Sequence, residues 1–158
     1  MPKILVLYFT RTGNTKTMAE IVAGAAEKEG AEVVLRDVEE IKQEELLDYD
    51  ALIVGSPTYY GGMAGKLKDF LDSTVVHHGK FTGKIGGAFS SSANVGGGNE
   101  TTILNILHLM LIHGMIVQGT SDGDHYGPVS IDAPDDRARA QCEELGRRVA
   151  SLAARLFG

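Results

Sequence analysis

Tryptophan is absent from this chain and cysteine occurs once, at Cys142. A single cysteine closes no internal disulfide, forms no thiol relay and ligates no iron–sulfur cluster. With no secretory leader ahead of the apolar run at Ile4, the expected compartment is the cytoplasm. No stretch approaches the ~20 apolar residues of a membrane span, so no membrane segment is expected. Basic side chains are few, 15 Lys and Arg against 21 Asp and Glu, and the net charge is −6. Nucleic acids are held mainly through clustered Lys and Arg, and with no such cluster here no nucleic-acid partner is expected. Neither G-x-x-x-x-G-K-[ST] nor G-x-G-x-x-G occurs, which removes the triphosphate and dinucleotide fingerprints. With only five Phe and five Tyr, the core must be aliphatic, and an aromatic beside a glycine turn needs its own explanation.

What is present suits one compact domain over residues 1–158. Ile4-Leu5-Val6-Leu7 is a short continuous apolar run, the signature of a strand buried on both faces. A glycine-containing turn follows, and Met18, Ile21, Val22 and Ala25 then fall on one helical face from Thr15 to about Glu29, with Gly30 as the stop. Strands are expected at Glu32–Arg36, Ala51–Val54, Ile85–Phe89 and Met115–Val117. The acidic segment from Glu39 to Asp50 reads as a short helix or loop. Further helices are expected from about Ala64 to Ser73, after a cap at Asn99, and from Pro134 with Asp135 and Asp136 in its first turn. Alternating strands and helices give an α/β fold: a doubly wound, five-stranded parallel sheet in the order 2-1-3-4-5, with helices on both faces.

In such a sheet ligands bind outside the carboxyl ends of the strands, at the point where the winding reverses, and sheets of this strand order follow that rule. Three loops meet there. Thr10-Arg11-Thr12-Gly13-Asn14-Thr15 opens a helix, where backbone N–H groups and the helix dipole favour an anion. Its hydroxyls and amide add donors, Gly13 permits close approach, and it lacks lysine, which makes it a neutral cradle for a phosphate monoester. Pro57-Thr58-Tyr59-Tyr60-Gly61-Gly62 sets two aromatic rings beside two glycines, suited to a planar heterocycle. The loop from Ser90 to Gly98 offers hydroxyls, Asn94 and glycines but no ring, so one face of a bound heterocycle stays open.

The first loop resembles the flavodoxin phosphate signature position by position. Ser56 to Gly61, Gly97 to Thr102, His113-Gly114-Met115 and Tyr126-Gly127 are similar to the tryptophan-repressor-binding-protein-like NAD(P)H:quinone oxidoreductases, and the resemblance covers nearly the whole chain. It differs from that branch in having Ile112-His113 where paired histidines are usual, a shorter segment between the second and third strands, and no Trp before the fourth. The resemblance implies FMN as cofactor and NAD(P)H as co-substrate. It assigns the phosphate to Thr10, Arg11, Thr12, Gly13, Asn14 and Thr15, and the ring to Pro57, Thr58, Tyr59, Tyr60 and Gly61. The polar edge falls to Ser91, Ser92, Ala93, Asn94, Gly96 and Gly97, while His113 and Tyr126 become candidate substrate-side residues.

Two functions follow. In one, hydride passes from NAD(P)H to the flavin and electrons leave to a quinone or similar acceptor, with no catalytic side chain required because the cofactor carries the chemistry. In the other, the protein is a one-electron shuttle between redox protein partners, with Gly61 or Gly62 allowing a peptide flip towards the reduced ring. A homo-oligomer is compatible with either. The remaining residues have plainer readings: His113 as a structural histidine beneath the fifth strand, Cys142 as helix packing, and His77 and His78 as complements to a helix dipole. Two adjacent histidines without a third ligand make no metal site, and none is expected.

Overall fold

The computed structural model describes residues 1–158. Six parallel strands, β1 (Lys3–Tyr8), β2 (Glu32–Asp37), β3 (Ala51–Pro57), β4 (Ile85–Ser92), β5 (Ile116–Val117) and β6 (Val129–Ile131), form one sheet. The order is β2-β1-β3-β4-β5, as expected, with β6 also paired to β4. The fifth position is therefore split. Ile116 and Val117 pair with Ile85 and Gly86 at the start of β4, whereas Val129 to Ile131 pair with Ser90 to Ser92 at its end. Residues 118–128 loop out between the two halves.

Four helices, α1 (Asn14–Lys28), α2 (Gly65–Ser73), α3 (Asn99–Ile112) and α4 (Asp136–Phe157), cover the sheet. The acidic connection before β3 is instead two 3₁₀ turns, Val38–Glu40 and Gln43–Asp48, and a third follows α2. The Lys84 ammonium donates to the Leu47 and Tyr49 carbonyls at the end of the second turn, supplying the cation that orphan carbonyls attract. Burial there pushes its pKa below the ordinary lysine value.

The two-residue period of a strand explains both layers of the core. Ile4, Val6 and Tyr8 pack with Met18, Val22, Cys142, Leu145 and Val149 under α1 and α4. Leu5 and Leu7 face the other way, against Leu67, Leu71, Ile103, Ile106 and Met110 of α2 and α3. Two helix starts differ from expectation, α4 by two residues and α3 by one. Asp135, not a residue inside the helix, caps α4 by accepting the Ala138 N–H at 2.8 Å. Gly98 occupies the cap position of α3, and Asn99 begins that helix. No helix is long and apolar enough to cross a membrane.

Candidate functional site

The carboxyl ends of β1, β3 and β4 carry three loops that enclose a cleft of about 250 Å³, lined by Arg11, Thr12, Asn14, Pro57, Thr58, Tyr59, Ser91, Ser92, Ala93 and Asp132. Nine of these ten belong to the residues that the sequence singles out.

The first loop turns into α1 through Gly13, whose φ of 99° is left-handed, a conformation glycine adopts without steric cost. Its N–H donates to the Thr10 hydroxyl at 3.1 Å, and its carbonyl accepts from the Thr17 hydroxyl at 3.1 Å. The N–H groups of Asn14 and Thr15 have no acceptor within the chain, as the first turn of a helix requires, and that of Thr12, just before the cap, has none either. Uncommitted donors at a helix start are what an anion needs. Thr15 itself is buried, and its hydroxyl lies 2.9 Å from that of Ser91, which ties the first loop to the end of β4.

The second loop is a tight turn. Tyr59 N–H donates to the Gly62 carbonyl at 2.9 Å, and Gly62 N–H donates back at 3.1 Å. Both central residues have positive φ, 49° at Tyr60 and 80° at Gly61, the pattern of a type I′ turn. The two tyrosines consequently diverge. Tyr59 lines the cleft, whereas Tyr60 is fully exposed and borders an outer groove with Gly61, Gly62, Thr101, Leu104, Asn105 and His108. The sequence reading aims both rings at one ligand; in the structure they line different surfaces.

Thr58 fastens the second loop to the third. Its N–H donates to the Ser91 carbonyl at 2.8 Å. Its hydroxyl lies 3.0 Å from that of Ser90 and accepts from Thr102 at 3.1 Å. In the third loop Ser92 donates to the Asn94 carbonyl at 3.1 Å and accepts from the Asn99 amide at 3.3 Å. Asn94, Gly96 and Gly97 lie outside the cleft lining: Gly97 N–H closes a turn onto the Asn94 carbonyl at 3.1 Å, and Gly96 borders a separate groove with Val95, Asn99 and Ile131.

The two candidate substrate-side residues are elsewhere in this chain. His113 precedes β5, which pairs with the start of β4, so the length of that eight-residue strand, about 25 Å at ~3.3 Å per residue, separates it from the cleft. It is buried against Phe81, beside a small apolar cavity of about 20 Å³ that Leu46, Leu71 and Met110 also line. Thr74 donates its proton to the Leu71 carbonyl at 2.6 Å, so at 2.8 Å from His113 Nε2 its oxygen is the acceptor. The imidazole therefore donates from Nε2, its buried Nδ1 is unpaired, and burial followed by the neighbouring His78 holds its pKa below the ordinary 6.5. Tyr126 is half exposed on the 118–128 loop, in a groove with Glu100, Asp124 and His125. Cys142 is fully buried, its thiol pushed up to about 12, and is chemically inert at neutral pH.

Asp132 is the cleft residue that the sequence did not disclose. It enters because β6 pairs with the end of β4, and three residues after a proline give too short an alternation to read as a strand.

Comparison with known proteins agrees with this geometry. A family model described as a flavodoxin domain matches residues 5–86. The chain is 45% identical over 163 aligned residues to a flavodoxin of Aquifex aeolicus, covering 98% of this chain and 88% of that one. It is 36% identical to an NAD(P)H dehydrogenase (quinone) of Sinorhizobium fredii, covering 99% of each. Among solved structures, a flavodoxin, WrbA-like protein from Agrobacterium tumefaciens superimposes with a TM-score of 0.82 at 29% identity, over 98% of this chain and 99% of that one. Fold, sheet order and sequence similarity across nearly the whole length agree, and the chain belongs to the flavodoxin family.

Proposed function

We propose that this protein binds FMN in the cleft and works as an FMN-dependent oxidoreductase, taking electrons from NAD(P)H and delivering them to a quinone or similar acceptor. The observation that carries the reading is the row of uncommitted N–H groups at Thr12, Asn14 and Thr15, set at the start of α1 by the left-handed Gly13. That donor set matches a terminal phosphate, and the absence of lysine in the loop matches one monoester rather than a triphosphate.

From there the chain's own residues dictate the arrangement. Thr10 to Thr15 grip the phosphate, and the Thr15–Ser91 and Thr58–Ser91 bonds hold the other two loops at a fixed distance from that grip. Tyr59 supplies a ring wall, and Ser91 to Ala93 also line the cleft, without an aromatic. Bound FMN supplies hydride acceptance and one- or two-electron transfer. What the protein adds is orientation and access, and no side-chain acid or base is needed. The similarity to an NAD(P)H dehydrogenase (quinone) over 99% of both chains supports this choice of donor and acceptor. Turnover of NADH or NADPH with benzoquinone, measured at steady state, tests it: a rate well above that of free FMN is expected, and a rate no faster than free FMN overturns it.

A second reading, a one-electron carrier between protein partners, is favoured by the 45% identity to a protein named flavodoxin. Potentiometric titration distinguishes the two, because a carrier shows two well-separated one-electron steps.

A further inference from the structure

Every polar group of Asp124, in the 118–128 loop, is committed inside the chain. Its N–H donates to the Gln141 side-chain oxygen at 3.0 Å, and its carbonyl accepts from Gly127 N–H at 3.1 Å. One carboxylate oxygen accepts from Val129 N–H at 2.9 Å, and the other accepts from the Arg137 guanidinium at 2.7 Å. Arg137 closes the circuit by donating to the Val129 carbonyl at 2.6 Å. Arg137 and Gln141 lie one helical turn apart on α4 and share a face, so that face holds the loop.

The strand they grip lies at the edge of the sheet. β6 pairs with β4 alone: the Pro128 carbonyl accepts from Ser90 N–H at 3.0 Å, and Asp132 N–H donates to the Ser92 carbonyl at 2.9 Å. Val129, one residue after Pro128, turns its own N–H and C=O to the other side, where no strand follows. Asp124 sets an acceptor against that N–H and Arg137 a donor against that C=O, the two groups a neighbouring strand would offer. The Asp124 side chain is only 15% exposed, so water competes poorly for the bond. On its inner side β6 holds Ser90 to Ser92, whose Ser91 ties both other loops of the cleft, through the Thr15 hydroxyl and the Thr58 N–H.

We infer that Asp124 and Arg137 act together as a surrogate edge strand, and that through β6 they position Ser90 to Ser92 for the ligand of the cleft. For the identity of that ligand the inference rests on the FMN reading. Neither residue lines the cleft, and both are positioning residues. The surrogate depends on which group donates and which accepts, not on charge alone. Asparagine at 124 loses the ion pair but keeps an oxygen for Val129 N–H. Reversing the two charges keeps an ion pair but sets a donor against the Val129 N–H and an acceptor against its carbonyl.

The test compares wild type, Asp124→Asn, Asp124→Ala and the double variant Asp124→Arg with Arg137→Asp. Apoprotein of each is titrated with FMN by quenching of flavin fluorescence, and hydrogen exchange is followed at the Ser90 and Asp132 amides, which donate across the β4–β6 pairing. In Asp124→Ala the FMN Kd is expected to rise about tenfold and both amides to exchange about tenfold faster, the scale of one hydrogen bond to a charged group. Asp124→Asn stays within about threefold of wild type in both readouts, because the acceptor for Val129 is retained. The charge-reversed double variant behaves like Asp124→Ala. Wild-type affinity and exchange in Asp124→Ala overturn the inference. So does recovery of affinity in the double variant, which would make an ion pair sufficient, and so does equal acceleration at the centre of β1, which would make the role one of global stability. Wild-type protein that takes up no FMN overturns the cofactor reading instead, and exchange at Ser90 and Asp132 then decides by itself whether the clasp reaches the cleft wall.

Discussion

Gly98 and Gly61, from loops 37 positions apart in the chain, are packed backbone to backbone: a β-carbon on Gly98 would come 2.7 Å from the Gly61 Cα. The contact joins the cap of α3 to the tyrosine turn, and Gly98 also has φ at 101°. Gly98→Ala meets both a strained backbone and a clash with main chain, so a loss of about 2 kcal/mol is expected. Urea denaturation measures it, and the weakened turn is expected to lower FMN affinity as well.

The divergence of Tyr59 and Tyr60 gives a paired prediction. Tyr59→Ala removes the ring that lines the cleft, and FMN affinity should fall about tenfold, the scale of one aromatic contact. Tyr60→Gly removes a fully exposed side chain at positive φ, and it should leave FMN affinity within about twofold while raising stability by ~1 kcal/mol. Fluorescence titration and chemical denaturation of both variants check the pair.

His113 predicts a pH dependence. The folded state holds it neutral, with its pKa below 6.5, while the unfolded chain returns it to the ordinary value. The unfolded state therefore binds more protons, so the stabilisation is complete above pH 6.5 and is lost as pH falls from there towards the folded value. His113→Gln keeps a donor towards Thr74 but does not titrate. Unfolding free energies at ~pH 7.5 and ~pH 5.5 should therefore differ less in this variant than in the wild type.

Local patterns carried most of the fold. Ile4 to Leu7 read as a strand buried on both faces because consecutive side chains alternate between two layers, and Ile4 and Val6 do face α1 and α4 while Leu5 and Leu7 face α2 and α3. The cradle at Thr10 to Thr15 was legible for the same reason: a glycine entry into a helix is determined within six residues. Other features lay beyond local pattern, for different reasons. Asp132 reaches the cleft only through the register of β6 with Ser90 to Ser92, some forty residues earlier. Tyr60 leaves the cleft because of its φ, which the sequence Tyr-Tyr-Gly-Gly does not fix. His113 reads from the sequence as a structural histidine beneath the fifth strand, but its partners Thr74 and Phe81 lie in segments that no local pattern links to it.

The 118–128 loop that splits the fifth strand is held by Asp124, whose carboxylate accepts from Val129 N–H at 2.9 Å and from Arg137 at 2.7 Å. Asp124→Ala frees the Val129 amide. Its hydrogen exchange is expected to accelerate about tenfold, with amides in the centre of β1 unchanged.

The proposed chemistry depends on the uncommitted N–H groups at the start of α1 gripping the phosphate of FMN. Fluorescence titration of the apoprotein with FMN, in the presence and absence of inorganic phosphate, decides whether they do. Quenching that saturates at one FMN per chain and is displaced by phosphate is the expected result; flavin fluorescence that stays unchanged as protein is added is incompatible with that grip.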